Sequence, residues 1–327
     1  MRMRKFLFVL TILAIPVLAI SAMPTDTVRI KEVHVSTYKT ILTSSTDNFD
    51  SARLAQADAQ NLSRFLQENS SIQFKTYGTS GSSVMSIRGA NSSHSKIVWN
   101  GLSIGSPMLN MNDVSLISAN SADELKLSKG GSTASNGNSA LSGILTLNTL
   151  PRYGNNQLQA GVNYSSLNNT DVHLKYVHGT VRFSSQTAIS YINYKNNFNY
   201  KNRSEFGNPI QKQINSNWNQ IAIIQSFFYK YKRSEIEWHQ WFQESDRELS
   251  PAVYNRTKRN YQLDKSYRSI ASLKQLINAN NQLISSLSFT REQLRYVSRI
   301  HMNGEDFVLF NTRSYFDQLQ YQTTWKF

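Results

Sequence analysis

Glu235-Ile236-Glu237-Trp238-His239-Gln240-Trp241-Phe242-Gln243 is the stretch on which the fold turns. Ile236, Trp238 and Phe242 share one parity, and Glu235, Glu237, His239 and Gln243 share the other. A period of two places successive side chains on opposite faces, so this run predicts a strand with an apolar face and a polar face. The pattern recurs along the second half of the chain. Val181, Phe183, Ile189 and Tyr191 alternate with Arg182, Ser184, Gln186 and Ser190, and Ile221, Ile223, Phe227, Tyr229 and Tyr231 repeat it. Leu283, Leu287 and Phe289 follow, and the last segment sets Leu319, Tyr321, Trp325 and Phe327 against Gln318, Gln320, Gln322 and Lys326. Each run covers about 10–17 residues, against the five or six usual in soluble sheets. The intervening stretches Lys201–Ile214 and Ser245–Arg259 hold charges with Asn, Pro or Gly and are expected to be exposed loops.

The N-terminus gives these strands a context. Arg2, Arg4 and Lys5 precede an apolar run from Phe6 to Ile20, and Ala19-Ile20-Ser21-Ala22 offers small residues for cleavage. This is the order of a secretory signal peptide; a retained N-terminal anchor is the alternative. Long period-two strands with aromatic ends in an exported chain match an outer-membrane barrel, which satisfies every backbone hydrogen bond in lipid. A soluble β-sandwich, wet on one face, is the competing architecture.

Before Pro151 the chain reads differently. Val28–Ser36 alternates and is expected to be a strand or an extended arm. Asp58 is the expected cap of a helix whose inner face carries Leu62, Phe65 and Leu66. Ser83–Arg88, Lys96–Trp99, Glu124–Leu127 and Gly143–Thr149 read as short strands, and mixed short elements of this kind predict a small α+β domain.

Five segments of this region, in order, resemble the plug of a TonB-dependent outer-membrane receptor. They are Gln60–Leu66, Ser86-Ile87-Arg88-Gly89, Ile97–Leu102, Glu124–Gly130 and Asn136–Leu145. The stretch Ser106–Asp113 is nearest to vitamin B12 and siderophore receptors. The resemblance implies an α+β plug domain followed by an antiparallel transmembrane β-barrel. Its implied boundaries are a signal peptide over 1–22, an N-terminal arm over 23–40, the plug over 41–151 and the first part of the barrel over 152–327. It further implies an importer without cofactor or metal, in the outer membrane among its lipids. Its partners would be a periplasmic TonB-type energy-transducing protein and a small-molecule ligand, a cobalamin or a siderophore.

Residue roles follow the same resemblance. Ile30, Lys31, Glu32, Val33, His34 and Val35 stand where the family carries its TonB box, an extended arm that adds to a partner's sheet edge. The match is partial, and these residues can equally be the first plug strand. Tyr77, Ser80, Ser106, Met108 and Asn110 fall at the plug apices, where ligand is expected. Arg88 is expected in a structural ion pair, its planar fork suiting carboxylates. Asn100-Gly101 suits a two-residue hairpin turn with positive φ. Gly89, Gly130 and Gly143 are expected to serve turns or close backbone approach, as are Gly131 and Gly137.

Composition removes whole classes of function. The chain of 327 residues has no cysteine, which excludes disulfide frameworks, thiolate metal sites and cysteine nucleophiles. A mean hydropathy of −0.44 excludes a polytopic helical membrane protein, and 11% aromatic residues argue against disorder. The excess of 35 Lys+Arg over 21 Asp+Glu is spread along the chain without a dense arm and does not decide function by itself; with the export signal, no nucleic-acid partner is expected. His34, His94, His173, His178, His239 and His301 show no metal-ligand spacing, and no nucleophile motif is present, so an enzyme is not expected. Glu235 and Glu237 share a face and are expected to be solvated lumen residues. A small porin or adhesin with an N-terminal periplasmic domain is the alternative reading.

About eight strands are expected from Asn156 onward, against roughly 22 in the barrels of this family. An eight-stranded barrel has an interior only wide enough for side chains, so a plug cannot sit inside it. Truncation of a longer receptor is therefore the expectation. The alternating end at Phe327, which resembles a C-terminal assembly signal, stands for the other reading.

Overall fold

The computed structural model describes residues 45–326, apart from 57–60, 79, 88, 91, 107, 109–110, 131–141 and 279. The expected signal peptide and the arm containing Ile30–Val35 lie outside these residues. So do Arg88, Asn110, Gly131 and Gly137.

Two β-sheets carry the fold. The first holds β1 (Ser45–Phe49), β4 (Ser95–Trp99), β5 (Leu102–Ser103), β6 (Glu124–Lys129) and β7 (Gly143–Asn148) in the order β1-β6-β7-β4-β5. β4 and β7 run parallel, and the other neighbours are antiparallel. Beside it lie α1 (Ser51–Ala55), α2 (Leu62–Asn69) and a hairpin of β2 (Gln73–Thr76) and β3 (Ser83–Ser86). Leu62, Phe65 and Leu66 of α2 bury together, as their spacing predicts. The cap differs from the expectation. It is Asn61, whose side chain accepts from the Arg64 amide at 3.0 Å, while Asp58 falls outside the described residues. An Asn directly before the first helical residue reaches the third amide of the helix.

Alternation builds the core of this sheet. Ile97 and Trp99 on β4, Leu125 and Leu127 on β6, and Leu145 and Leu147 on β7 are all at most 1% exposed. Asn100 and Gly101, both with positive φ (45° and 91°), connect β4 to β5, and Trp99 pairs directly with Leu102. This is the two-residue turn the Asn-Gly pair predicts. The Asn100 side chain also accepts from the Thr149 amide at 2.8 Å, which ties the turn to the exit of β7. Gly143 answers a different demand: a Cβ there would stand 2.5 Å from the Ser128 carbonyl oxygen and 2.7 Å from Ile87 Cδ1.

The second sheet has eight antiparallel strands in sequence order, as counted from Asn156. They are β8 (Asn156–Ser165), β9 (Asn169–Gly179), β10 (Phe183–Tyr194), β13 (Trp218–Tyr231), β14 (Ser234–Leu249), β15 (Asn260–Leu276), β16 (Gln282–Met302) and β17 (Glu305–Lys326). β8 and β17 are its two edges. Strand length rises from 10 residues in β8 to 22 in β17, beyond the expected range. Short turns join one end of the sheet. The other end carries long connections over 195–217 and 250–259, and a small hairpin of β11 (Asn199–Lys201) and β12 (Ile210–Lys212) lies within the first. The expected loop Ser245–Arg259 is therefore shorter than predicted. Ser245–Leu249 continues β14, paired on both sides. Its inward positions are Ser245 and Arg247, and polar inward residues erase the hydrophobic alternation that would have marked it as strand.

The two faces of this wall sort as the parity predicts. Trp218, Gln220, Ala222, Ile224, Ser226 and Phe228 on β13 are buried, while Ile221 and Tyr229 on the other face are exposed. On β14, Glu237, His239, Trp241, Gln243, Ser245 and Arg247 turn inward, and Ile236, Trp238 and Phe242 stay exposed. The outer face is thus an apolar belt with Trp238, Leu287, Tyr321 and Trp325 on it, as a lipid-facing wall requires. The inner face packs on the first sheet: Ile224, Trp241 and Ile270 belong to the same apolar cluster as Trp99, Leu125 and Leu145. The chain is a small α+β domain, standing where the plug is expected, followed by an eight-stranded antiparallel wall.

Candidate functional site

The contact between plug and wall is built first from one short segment. Asp113 starts a single 3-10 turn over Val114–Leu116, accepting from the Ser115 amide at 3.1 Å and hydroxyl at 2.6 Å. The same oxygen accepts from the Ser83 amide at 3.0 Å, which fixes the carboxylate to β3. Its other oxygen faces Arg247 of β14, whose Nη1 donates at 2.8 Å. Nη2 of Arg247 donates to Asp264 of β15, also at 2.8 Å. Arg247 has no exposed surface, and its Cζ lies 5.8 Å from the centre of the Trp218 ring. Two carboxylates and an aromatic face thus hold one fully buried guanidinium, the geometry for which Arg's fork is suited. Three residues on, the Leu116 carbonyl accepts from Gln220 Nε2 at 2.9 Å and Gln243 Nε2 at 2.8 Å. Residues 113–116 therefore bond two neighbouring wall strands, β13 and β14, and reach a third, β15, only through Arg247.

Next to this clasp, Trp241 stands edge-on to Trp99 with ring centres 5.2 Å apart. Arg268 lies over Trp241 at 5.3 Å and pairs with Glu292 at 2.6 Å. A small cavity of about 60 Å³ opens there, lined among others by Ser106, Met108, Asp113, Trp241, Arg268 and Glu292. A second clasp holds the plug's last turn. The buried Asp123 accepts from Lys175 of β9 at 2.8 Å, from Arg152 at 3.2 Å and from the Leu150 amide at 2.9 Å.

At the short-turn end, Glu235 accepts from the Tyr153 hydroxyl at 2.8 Å. Burial, then the bond to Glu235, pushes the Tyr153 phenol well above its ordinary value, so it remains a donor. Lys274 bonds Glu237, and His239 Nε2 lies 3.7 Å from it. Glu235 and Glu237 are therefore tied into the wall rather than solvated, because a phenol and an ammonium face them.

The expected apex residues separate in space. Tyr77 is 62% exposed. Ser80 is fully buried, and its hydroxyl donates to the Ser216 carbonyl while accepting from Asn196 Nδ2 at 2.9 Å, so it joins the plug to the base of the 195–217 connection. Ser106 and Met108 line the cavity beneath Arg268. Gly89 has a φ of +75° and Gly130 of +123°. Sequence reasoning did not single out Asp113, Asp123, Lys175, Trp241, Arg247 or Asp264. The available signal was charge at inward positions of otherwise alternating strands, as at Arg247 and Asp264. Among the described residues no group of three or more His, Asp or Glu is placed to hold a metal ion.

Residues 39–144 match the family model described as the TonB-dependent receptor plug domain. No curated protein matches the sequence. Among solved structures the chain is similar to the ferric-catecholate import receptor Fiu from E. coli K12 in its open form, at 11% identity and a TM-score of 0.63, with 87% of this chain and 46% of that one covered. It is similar to the FrpB iron transporter from Neisseria meningitidis at 11% identity and a TM-score of 0.62, covering 85% and 49%. The siderophore receptor PiuA from Acinetobacter baumannii matches at 12% identity and a TM-score of 0.60, covering 85% and 42%. At such identities the likeness is one of fold. The chain spans less than half the length of each of these three structures.

Proposed function

We propose that this chain, a TonB-dependent receptor plug domain continuous with part of its barrel wall, works in an energy-coupled outer-membrane importer. The observation that carries the reading is the plug's seat. Its core merges with the inner face of a wall whose outer face is an apolar belt. Buried ion pairs at Asp113 and Asp123 close the contact. A passive pore would leave that inner face to water.

On this reading the short-turn end faces the periplasm and the long connections face outward. A scarce ligand, such as a cobalamin or a ferric siderophore, binds at the outer end near Tyr77, Ser106, Met108 and Asn110. Ser80, buried under the 195–217 connection, transmits that binding to the plug. The signal peptide directs export, and the Ile30–Val35 arm offers an extended edge to a periplasmic TonB-type partner, which pulls the plug away from its clasps. The process is binding and gating, with no bond made or broken.

Deleting residues 28–36 in the complete receptor tests this. Uptake of labelled ligand is expected to cease while binding at the cell surface persists. Uptake that survives the deletion would remove energy coupling from the account.

A further inference from the structure

The seam between plug and wall is not closed evenly. On β13 and β14 inward side chains bond or pack onto the plug, through Gln220, Gln243, Arg247 and Trp241. Along β15 and β16 two cavities interrupt it. The upper one, of about 60 Å³, lies beside Asp264, Ser266 and Arg268. The lower one, of about 360 Å³, lies beside Ile270, Ser272 and Lys274 and meets the plug at Asn100, Gly101 and Thr149. A water needs about 10–15 Å³, so each cavity has room for several. The two share no lining residue. They follow each other along the inward file of β15 from Asp264 to Lys274, roughly 33 Å of strand.

The boundary between them is one row of the wall. Strand register sets Trp241, Arg268 and Thr290 side by side. The Arg268 guanidinium lies over the Trp241 ring, and Trp241 in turn meets Trp99 of the plug, so the row reaches across the seam. The bonds of Arg268 stay within the wall. Nη2 donates to Glu292 at 2.6 Å, Nη1 donates to Ser266 Oγ at 3.0 Å, and Nε has no hydrogen-bond partner among the described residues. Arg247, by contrast, grips Asp113 of the plug. Arg268 can therefore turn aside without unclasping the plug. Below it the lower cavity offers the hydroxyls and amides of Ser272, Ser286, Ser288, Gln320 and Gln322, which can receive a guanidinium or the water around an ion.

We propose that this seam is a hydrated route for small ions between plug and wall, and that Arg268 is its gate. Closed, the guanidinium and the two indole rings form a charged and apolar constriction that hydrated ions do not pass. Open, the two cavities join. The inference deepens the importer reading and rests on it for the wall's place in a membrane. It names the side on which the plug is least held, and so the side on which the passage widens when the plug is drawn away.

The test uses the complete receptor, purified and inserted in planar lipid bilayers in potassium chloride. The variant Arg268→Ser/Glu292→Ser removes both members of the pair, so no buried charge is stranded. It is expected to carry a steady current about tenfold or more above that of the unaltered receptor. Adding Ser288→Phe, which fills the lower cavity beside Ile270, is expected to return the current to the unaltered level. No increase in current overturns the proposal. So does a current that Ser288→Phe leaves in place, since the ions then cross elsewhere. A second measurement leaves the gate intact. Residues 1–327 hold no cysteine, so with any other cysteine of the receptor replaced, Ser286→Cys in the lower cavity and Ser226→Cys on the clasped wall each supply one thiol. A small cationic methanethiosulfonate is expected to modify the first about tenfold faster than the second, and equal rates overturn the proposal. A gated current together with uptake that survives deletion of residues 28–36 supports the route and overturns energy coupling instead.

Discussion

Trp99 of the plug and Trp241 of the wall meet edge to face, their ring centres 5.2 Å apart, and neither side chain has more than 1% of its surface exposed. The pair makes plug and wall share one core. Trp99 lies on β4, ahead of the Asn100-Gly101 turn, and Trp241 lies on β14, flanked by outward Gln240 and Phe242. The contact joins residues 142 positions apart, so it forms only when both sheets do.

Trp241→Ala is accordingly expected to cost about 3–5 kcal/mol, the range for emptying a large aromatic from a packed core. Denaturant unfolding of the purified protein in detergent reads this as a lowered midpoint. A change below about 1 kcal/mol would mean that plug and wall unfold as separate units.

Asp113 and Arg247 are expected to be coupled. Removing one partner of a buried pair strands the other charge, so Asp113→Ala should destabilise by about 3 kcal/mol even though Asp264 still faces Arg247. Replacing Asp113 and Arg247 together by Asn and Met should be milder than the sum of the single changes. A double-mutant cycle measures the difference, and additivity within about 0.5 kcal/mol would show that the two groups do not interact.

Tyr153 gives the contact at the short-turn end a sign in pH. Its phenol is raised in the folded protein, above the ordinary value of 10.0 that applies once the chain unfolds. The bond to Glu235 therefore contributes fully below pH 10.0, and the contribution is lost as pH rises above that value, since the unfolded chain then releases the proton first. Tyr153→Phe should lower the melting temperature by a constant amount at neutral and mildly alkaline pH, with the gap closing above pH 10.0. A gap independent of pH across that range would show that the phenol's proton plays no part.

Legibility in the sequence divides along physical lines. Period-two alternation reports which face of a strand is apolar, and here it marked β10, β13, β14 and β17 and the number of wall strands. The 3.6 period at Leu62, Phe65 and Leu66 marked the inner face of α2, and Asn100-Gly101 marked its own turn, because positive φ at consecutive residues is a local demand. The exposed rim was readable as composition, since loop charges need no partner to be counted. The end of β14 was lost because Ser245 and Arg247 look like loop residues until a plug stands against them.

The residues alone therefore determined the strand faces, the wall's eight antiparallel members and the plug's short elements, all of which depend on neighbours within a few positions. Only the tertiary structure decided that Asp113, Arg247 and Asp264 form one clasp and that Asp123 takes Lys175 and Arg152. It also decided that Ser80 is an anchor beneath the loops. Each of these pairs a plug residue with a wall or loop residue tens of positions away. Alternation can place a charge on the inward face, but its partner is chosen by which strand lies opposite once the two sheets have packed.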